Sequence, residues 1–374
     1  METAVNENDL QIPVRYESRS TCVCSVANII PKQLIDISSF ESGDSATKLA
    51  VAKALTHGFQ TSGFVYLKNH RIPQSEIDSL FSTAAAFFNR PQHEKNQLSW
   101  GMQGRSSSPG YTAYGGEKLS QSLDQAEIDR LRASNPDMKE ALDVGLERIE
   151  GAADNKWPGE IDRGIVEMKL VIQGFFERCR QTQVVVMRAI ALGLGLEERY
   201  FDALVDEADN TLRCLHYPPA RAEVFERSKD AVRAGAHSDY GALTLLFQDD
   251  RGGLQICSPN GRFVDATPVP GTIVVNAGDL LSRWANDKIK STVHRVVQPP
   301  MSPDALVGDL YPSRYSVAYF CNPNLDTVIQ ALPGTWEETG LQKYEPITAR
   351  EWLMRRLILS HTKQATALPV HIQA

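Results

Sequence analysis

Residues Ala236–Ile256 read AHSDYGALTLLFQDDRGGLQI: a histidine and a carboxylate two residues apart head an apolar, β-rich run, with a glycine pair close behind. The chain has only eight histidines in 374 residues, so one set beside an acid in this way stands out. Side chains alternate faces along a strand, so residues two apart share a face. His237 and Asp239 are therefore expected to point the same way. An imidazole and a carboxylate aimed at one point suit a divalent transition metal. Alone the pair is a weak signal, because short His-X-Asp strings arise by chance and most buried histidines are hydrogen-bonded core residues.

Two ligands hold a metal poorly, and a third is offered by His294 in the later β-type run STVHRVV. Two histidines and one carboxylate make the facial triad of non-haem Fe(II) oxygenases, which leaves positions open for a co-substrate and dioxygen. RYSVAYF then supplies Arg314 and Ser316, again two apart. A guanidinium fork beside a hydroxyl is a carboxylate receptor, although Arg314 would serve equally in a surface ion pair. Tyr217, in LRCLHYPP, offers a phenol from an earlier strand, with core packing as the plainer reading. A co-substrate with a chelating end and a carboxylate end would use both groups of residues.

Working outward, the order along the chain is helices, then a β core, then a helix, which reads as an α+β fold with a mainly β core. Residues 1–30 read as a loosely attached lead-in, 31–205 as a helical region with a few strands, and 206–374 as the β core with a C-terminal helix. SATKLAVAKALTHGFQTSG has helical spacing and stops at Gly63, FVYLKNH is a short strand, and Pro73 opens the next helix. Gly101–Gly116 is dense in Gly and Ser and reads as a loop, long enough to be a functional one. Polar, helical sequence is expected from there to NKWPGE, and a long amphipathic helix within 160–205. After Thr211 short β-type runs alternate with turns, among them SPNG with its Asn-Gly hairpin signal.

The formal charge of -7 advertises no basic surface for nucleic acid or an anionic membrane. The polar, acidic N-terminus lacks the pattern of a signal peptide, and no apolar run approaches the ~20 residues that span a bilayer. The six thinly scattered cysteines would stay thiols in a cytosolic chain, and Cys22 and Cys24 lack the second pair a zinc site needs. A cytoplasmic protein with a small-molecule partner is the expectation.

From about residue 32 to 360 the chain resembles the 2-oxoglutarate and Fe(II)-dependent dioxygenases of the isopenicillin N synthase-like group. GFVYLKNHRIP, NKWP, HSDYGALTLLFQDDRGGLQI, VVNAGDLLSRWANDKIKSTVHRVV and RYSVAYF match that family's motifs in order. The resemblance implies a distorted double-stranded β-helix, or jelly roll, flanked by helices. It implies that His237, Asp239 and His294 hold Fe(II), and that Arg314 and Ser316, assisted by Tyr217, bind the distal carboxylate of 2-oxoglutarate. It implies an enzyme that couples oxidative decarboxylation of 2-oxoglutarate by dioxygen to hydroxylation, desaturation or ring rearrangement of a small organic molecule, with a secondary-metabolite intermediate as the leading class. One departure is Leu215, where plant members commonly have asparagine two residues before the tyrosine.

The remaining residues receive blander expectations. Asn276 and Asp279 serve a turn, and Gly252 and Gly253 meet backbone requirements. His216 faces away from Tyr217 and is no ligand, while His57, His70, His93, His361 and His371 are structural or surface residues. In relatives the region matching Gly101–Gly116 contributes to the substrate pocket, which makes Arg105, Tyr111 and Tyr114, with the aromatic Phe320 and Trp284 nearer the core, pocket candidates, packing being the plainer reading of each. Three other readings stand beside the main one: a same-fold oxidase that dispenses with 2-oxoglutarate, a non-catalytic small-molecule binder, and a hydrolytic zinc site, which leaves Arg314 unexplained.

Overall fold

A computed structural model of the chain describes residues 34–99, 109–146, 155, 157, 163–226, 231–298 and 310–360. The lead-in, Cys22, Cys24, Arg105, His361 and His371 lie outside the described residues. The strands are β1 (Leu34–Asp36), β2 (Phe64–Lys68), β3 (Gly110–Thr112), β4 (Glu140–Val144), β5 (Thr211–Tyr217), β6 (Ala220–Arg221), β7 (Ala234–His237) and β8 (Leu243–Gln248), followed by β9 (Leu254–Cys257), β10 (Phe263–Asp265), β11 (Thr272–Ala277), β12 (His294–Val296), β13 (Leu310–Tyr311), β14 (Arg314–Cys321), β15 (Val328–Ile329) and β16 (Ile347–Thr348). The helices are α1 (Ser38–Ser42), α2 (Ser45–Thr61), α3 (Gln74–Phe88), α4 (Gln92–Asn96), α5 (Gln125–Ser134), α6 (Arg163–Gly193), α7 (Ala222–Glu226), α8 (Asp279–Trp284) and α9 (Ala349–Ser360).

Eight strands form a mixed sheet in the order β1-β2-β11-β8-β14-β5-β4-β3, in which only the β1–β2 pair is parallel. A second, antiparallel sheet runs β10-β9-β12-β7. Period-2 alternation decides which face of the large sheet meets what. On β14, Val317, Tyr319 and Cys321 belong to the core shared with the helices, whereas Ala318 and Phe320 belong to the core shared with the small sheet. Phe64, Leu215, Leu246 and Val274 take the same inner side on β2, β5, β8 and β11, and meet Leu254, Ile256 and Val296 of the small sheet. The result is three layers: helices, large sheet, small sheet.

The expected long helix is α6. Its buried Ile172, Phe175, Phe176, Cys179, Met187 and Ile190 recur at helical spacing. Phe175 meets Phe247 edge-on at 4.9 Å, and Phe176 meets Tyr319 in the same way. Helix α2 starts where Asp44 accepts from the backbone of Thr47 at 2.8 Å and ends before Gly63, which takes a positive φ of 71°. The Asn-Gly hairpin joins β9 to β10, with Gly261 at φ 79°. Among the described residues no helix is long and apolar enough to cross a membrane.

Two expectations need correction. The polar stretch read as helical contains α5 but also β4, which is wholly buried between β3 and β5. Its charges disguised it: Glu140 and Asp143 are buried against Lys95 and Arg213, so the strand's polarity belongs to ion pairs and not to solvent. The Gly101–Gly116 segment is likewise not all loop. Gly110–Thr112 forms β3, and Tyr111 is 2% exposed with its hydroxyl on Glu140, a core role and not a pocket one.

The junction of β11 and α8 packs backbone on backbone. A Cβ added at Gly278 would stand 2.3 Å from the carbonyl oxygen of Gly241 and 3.0 Å from that of Asp239. Gly278→Ala is expected to destabilise by about 1–3 kcal/mol, the usual cost of overpacking. Gly174→Ala, in α6 with nothing within 4 Å, is expected to stabilise by ~0.5–1 kcal/mol through helix propensity. Urea midpoints of the two variants check both signs.

Candidate active site

His237 is the last residue of β7 and His294 the first of β12. The two strands pair antiparallel with these residues directly opposite, so the imidazole centroids stand 4.4 Å apart. Asp239 is not on the strand. It sits in the turn after β7, and that turn is held by α8: the backbone of Asp279 donates to the Asp239 carbonyl at 2.8 Å and that of Leu280 to Gly241 at 3.0 Å. Strand alternation was therefore the wrong reason for pairing His237 with Asp239, although the structure does bring them together. Asp239 Oδ1 lies 3.8 Å from His237 Nε2 and 3.7 Å from His294 Nε2. One ligand atom from each of the three residues falls within 4.8 Å of the others.

Each group is fixed in the form a metal needs. His237 Nδ1–H donates to the Gly235 carbonyl at 2.7 Å and His294 Nδ1–H to the Thr292 carbonyl at 3.1 Å, which leaves both Nε2 lone pairs toward Asp239. Burial, reinforced by neighbouring His294, pushes the His237 imidazole well below the ordinary histidine range, so it is neutral. Burial works to raise the Asp239 carboxyl. Positive charge on an adjacent imidazole, where present, and two accepted hydrogen bonds outweigh it and hold the group below the usual aspartate value. Those bonds come from Asn276 Nδ2 at 2.7 Å and Thr244 Oγ1 at 2.5 Å, both to Oδ2, so Oδ1 is left for the imidazoles. Phe64 braces the His294 ring edge-on at 5.5 Å. Two imidazole nitrogens and one carboxylate oxygen, all oriented from behind, fit a divalent transition metal.

Asn276 thus does more than serve a turn. It lies on β11 directly opposite Thr244 of β8, and both reach the same carboxylate oxygen. The sequence signal was a polar residue at an inner position of two otherwise apolar strands. Asp279 keeps its expected turn role, accepting from Ser291 Oγ at 2.7 Å.

Arg314 opens β14 and is 1% exposed. Its Nε donates to the Gly252 carbonyl at 2.7 Å, Nη1 to Ser316 Oγ at 3.2 Å and Nη2 to Gln248 Oε1 at 3.4 Å. The guanidinium lies 4.9 Å from the ring of Tyr217, its register partner on β5. Gly252 has φ 76°, which agrees with its expected backbone role and points its carbonyl at Arg314. Among the described residues no carboxylate lies within ion-pair distance of Arg314. Nearby Asp249 spends its oxygens on the backbone N–H groups of Tyr315 and Arg251. A buried guanidinium met only by neutral acceptors favours an incoming anion.

The triad and the Arg314 corner line one cavity, to which Leu215 also contributes. Its lining also carries the charged residues Glu117, Lys139, Asp143 and Arg213. Arg213 holds Asp143 through two bonds of 2.6 and 2.7 Å and Glu117 at 3.0 Å, and Lys139 also pairs with Glu117. Phe320 lines the wall with the Arg213 guanidinium 5.6 Å from its ring. Trp284 does not: it is buried on the helix side against Phe201 at 5.2 Å. Tyr114 is 53% exposed and stands outside the cavity lining. His216 faces the opposite side of β5, bonded to Glu140 at 2.7 Å and stacked on Tyr315. His57 and His93 are exposed, and His70 is buried away from the cavity.

Two family models match the chain: the non-haem dioxygenase in morphine synthesis N-terminal model over residues 33–160, and the 2OG-Fe(II) oxygenase superfamily model over 208–323. The 2-oxoglutarate-Fe(II) type oxidoreductase ppzD of Metarhizium rileyi is 34% identical over 330 residues, covering 87% of this chain and 90% of that one. The chain belongs to the 2OG-Fe(II) oxygenase superfamily. A crystal structure of a full-length Neurospora crassa protein in complex with alpha-KG (2-oxoglutarate) and thymine is 49% identical to this oxygenase. It superposes with a TM-score of 0.78 over 87% of this chain and 96% of that one. A 2OG-Fe(II) oxygenase family protein from Caulobacter crescentus is 31% identical with a TM-score of 0.70, over 87% of this chain and 98% of its own. This oxygenase is an enzyme, a 2-oxoglutarate-dependent Fe(II) dioxygenase, and the zinc hydrolase and non-catalytic readings fall away.

Asn276→Ala and Thr244→Val each remove one support from the Asp239 carboxylate. Each is expected to weaken divalent-metal affinity by about 10–100-fold, the usual effect of losing such a partner. Anaerobic Fe(II) titration of the folded variants checks it.

Proposed function

We propose that His237, Asp239 and His294 hold Fe(II), and that Arg314 and Ser316, with Tyr217 packed against the guanidinium, bind the distal carboxylate of 2-oxoglutarate. The observation that carries this reading is that a three-ligand cluster and a buried, carboxylate-free guanidinium open on one cavity. Bound iron and 2-oxoglutarate supply an oxidative decarboxylation by dioxygen, giving succinate and carbon dioxide, that drives oxidation of a substrate carbon. The protein's part is positional. Asn276 and Thr244 hold Asp239, the Gly235 and Thr292 carbonyls hold the imidazoles, and the apolar inner walls exclude water.

The two sheets are read as the halves of a distorted double-stranded β-helix, a reading supported by the helix–sheet–sheet layering and by the superposition on oxygenases of this superfamily. The division into a lead-in (1–30), an N-terminal region (31–205) and a core with its C-terminal helix (206–374) is supported by the two family matches. These are regions of one sheet, since β2 and β4 of the N-terminal region pair onto β11 and β5 of the core and carry β1 and β3 on its two edges. A cytoplasmic location fits the free thiols Cys179, Cys214, Cys257 and Cys321.

The substrate is read as a small, neutral, planar polar molecule, with a pyrimidine base as the leading class. Two features support this. The polar wall balances two cations with two anions, so a net charge on the substrate gains nothing there. The Neurospora crassa protein at 49% identity was solved with thymine. A secondary-metabolite intermediate is the second reading, favoured by the apolar walls beside the triad, where Leu119, Leu246, Leu254 and Val296 stand. It also fits the variety of relatives, such as the proline hydroxylase buaE of Petromyces alliaceus at 30% identity, over 87% of this chain and 98% of that one.

Succinate release dependent on added 2-oxoglutarate, in the presence of thymine or of proline, tests the class and ranks the substrates. Thymine is expected to stimulate it and proline not. His237→Ala and Asp239→Ala are expected to reduce turnover to background through lost iron, and full activity in either would contradict the ligand assignment. Arg314→Ala is expected to raise the 2-oxoglutarate requirement by about 10–100-fold, the loss of a charge-assisted hydrogen-bond pair.

A further inference from the structure

A second guanidinium stands behind the first. Arg233 immediately precedes β7 and is 1% exposed. Its Nη1 donates to the carbonyls of Tyr217 at 3.0 Å and Pro218 at 3.3 Å, and Nη2 to that of Pro312 at 3.0 Å. Its Nε has no hydrogen-bond partner among the described residues, and no carboxylate there lies within ion-pair distance. Arg233 therefore ties the end of β5, which carries Tyr217, to the segment two residues ahead of Arg314. Neutral carbonyls alone satisfy it.

A buried cation without a counter-ion is costly, and two within each other's field cost more. Burial first, and the charge of Arg314 second, lower the Arg233 guanidinium to about 10, so it stays protonated at neutral pH. Asp249 offsets part of this field from a distance, but its oxygens are taken by backbone. Such a corner gains from an incoming carboxylate. A lysine could not replace the planar fork that spans three carbonyls.

We propose that Arg233 is a positioning residue for 2-oxoglutarate: it clamps the strand ends that present Tyr217 and Arg314, and its uncompensated charge adds to the field that draws the co-substrate's distal carboxylate in. It does not line the cavity and touches no reacting atom. The inference rests on reading Arg314 as the carboxylate receptor.

The test is anaerobic titration of the Fe(II)-loaded, full-length enzyme with 2-oxoglutarate and with 2-oxobutyrate, which keeps the chelating end but lacks the distal carboxylate. Arg233→Met is expected to raise the 2-oxoglutarate Kd about tenfold while leaving Fe(II) affinity, the 2-oxobutyrate Kd and kcat at saturating 2-oxoglutarate within about twofold. Arg233→Lys keeps the charge but loses most of the clamp, and is expected to fall between wild type and the methionine variant. If Arg233→Met does not fold, the lysine variant decides, with a rise of about threefold expected for 2-oxoglutarate alone. An unchanged 2-oxoglutarate Kd, or an equal rise for both keto acids, overturns the proposal, because a merely structural role would not distinguish them. Arg314→Ala run in parallel separates the failures. If it too leaves the 2-oxoglutarate Kd unchanged, the reading of Arg314 is wrong. If it alone weakens binding, only the role of Arg233 is.

Discussion

The register of β12 between β9 and β7 is the constraint on which the rest depends. His294 stands opposite His237 on one side and Ile256 on the other, and a slip of one residue would turn its imidazole to the far face. The register is set by packing and not by the histidines. Val296 enters the core between the sheets with Leu254 and Ile256, while Arg295 turns outward onto the Phe263 ring at 4.0 Å and Gln255 at 3.0 Å. Backbone bonds continue the pairing past both ends of the strand, from Cys257 to Val293 and from Val297 to Gly253. With the strand so held, Asp239 needs only its turn to be fixed, and the backbone of α8 fixes it.

Three buried charge problems line one cavity, and each is solved differently. At the triad, Asp239 is met by hydrogen bonds from Asn276 and Thr244 that consume one oxygen and leave the other facing the imidazoles. Elsewhere in the lining, Arg213, Lys139, Glu117 and Asp143 neutralise one another within the protein. At the Arg314 corner the partners are a carbonyl, a hydroxyl and an amide, all uncharged. The first arrangement orients a ligand, the second is complete in itself, and the third is completed only by an anion from outside.

Residues carried by strand motifs were legible in the sequence. The alternation of Arg314 and Ser316, the partnership of His294 with the HxD pair and the outward face of His216 all follow from period 2 plus the motif order. What failed was whatever depended on long-range pairing. β4 was hidden because Glu140 and Asp143 look like solvent residues until Lys95 and Arg213, distant in sequence, are placed beside them. Tyr111 looked like a loop aromatic until Glu140 reached its hydroxyl. Arg233 carried no motif, and Asn276, although it lies in VVNAGDLL, read as a turn residue. Their roles exist only because β11 lies beside β8, and because Tyr217 and Pro312 meet behind Arg314.

Charge accounting around the cavity also bears on what reacts there. On the proposed assignment, a divalent ion held by one carboxylate would leave one positive charge, Arg314 would add a second, and a dicarboxylate co-substrate would cancel both. The other charged residues of the lining are balanced on their own. Were iron and 2-oxoglutarate bound as proposed, the groups lining the cavity would balance, with Arg233 standing behind them, and an ionised substrate would bring an uncompensated charge into a buried space at a cost of several kcal/mol. A neutral molecule with polar edges meets no such penalty. Its donors and acceptors can share the lone pairs and N–H groups that Glu117, Lys139 and Arg213 do not spend on one another, while Phe320 offers a ring face to a flat partner. On that reading, walls that hold their charges in pairs would select against charge in the molecule they admit.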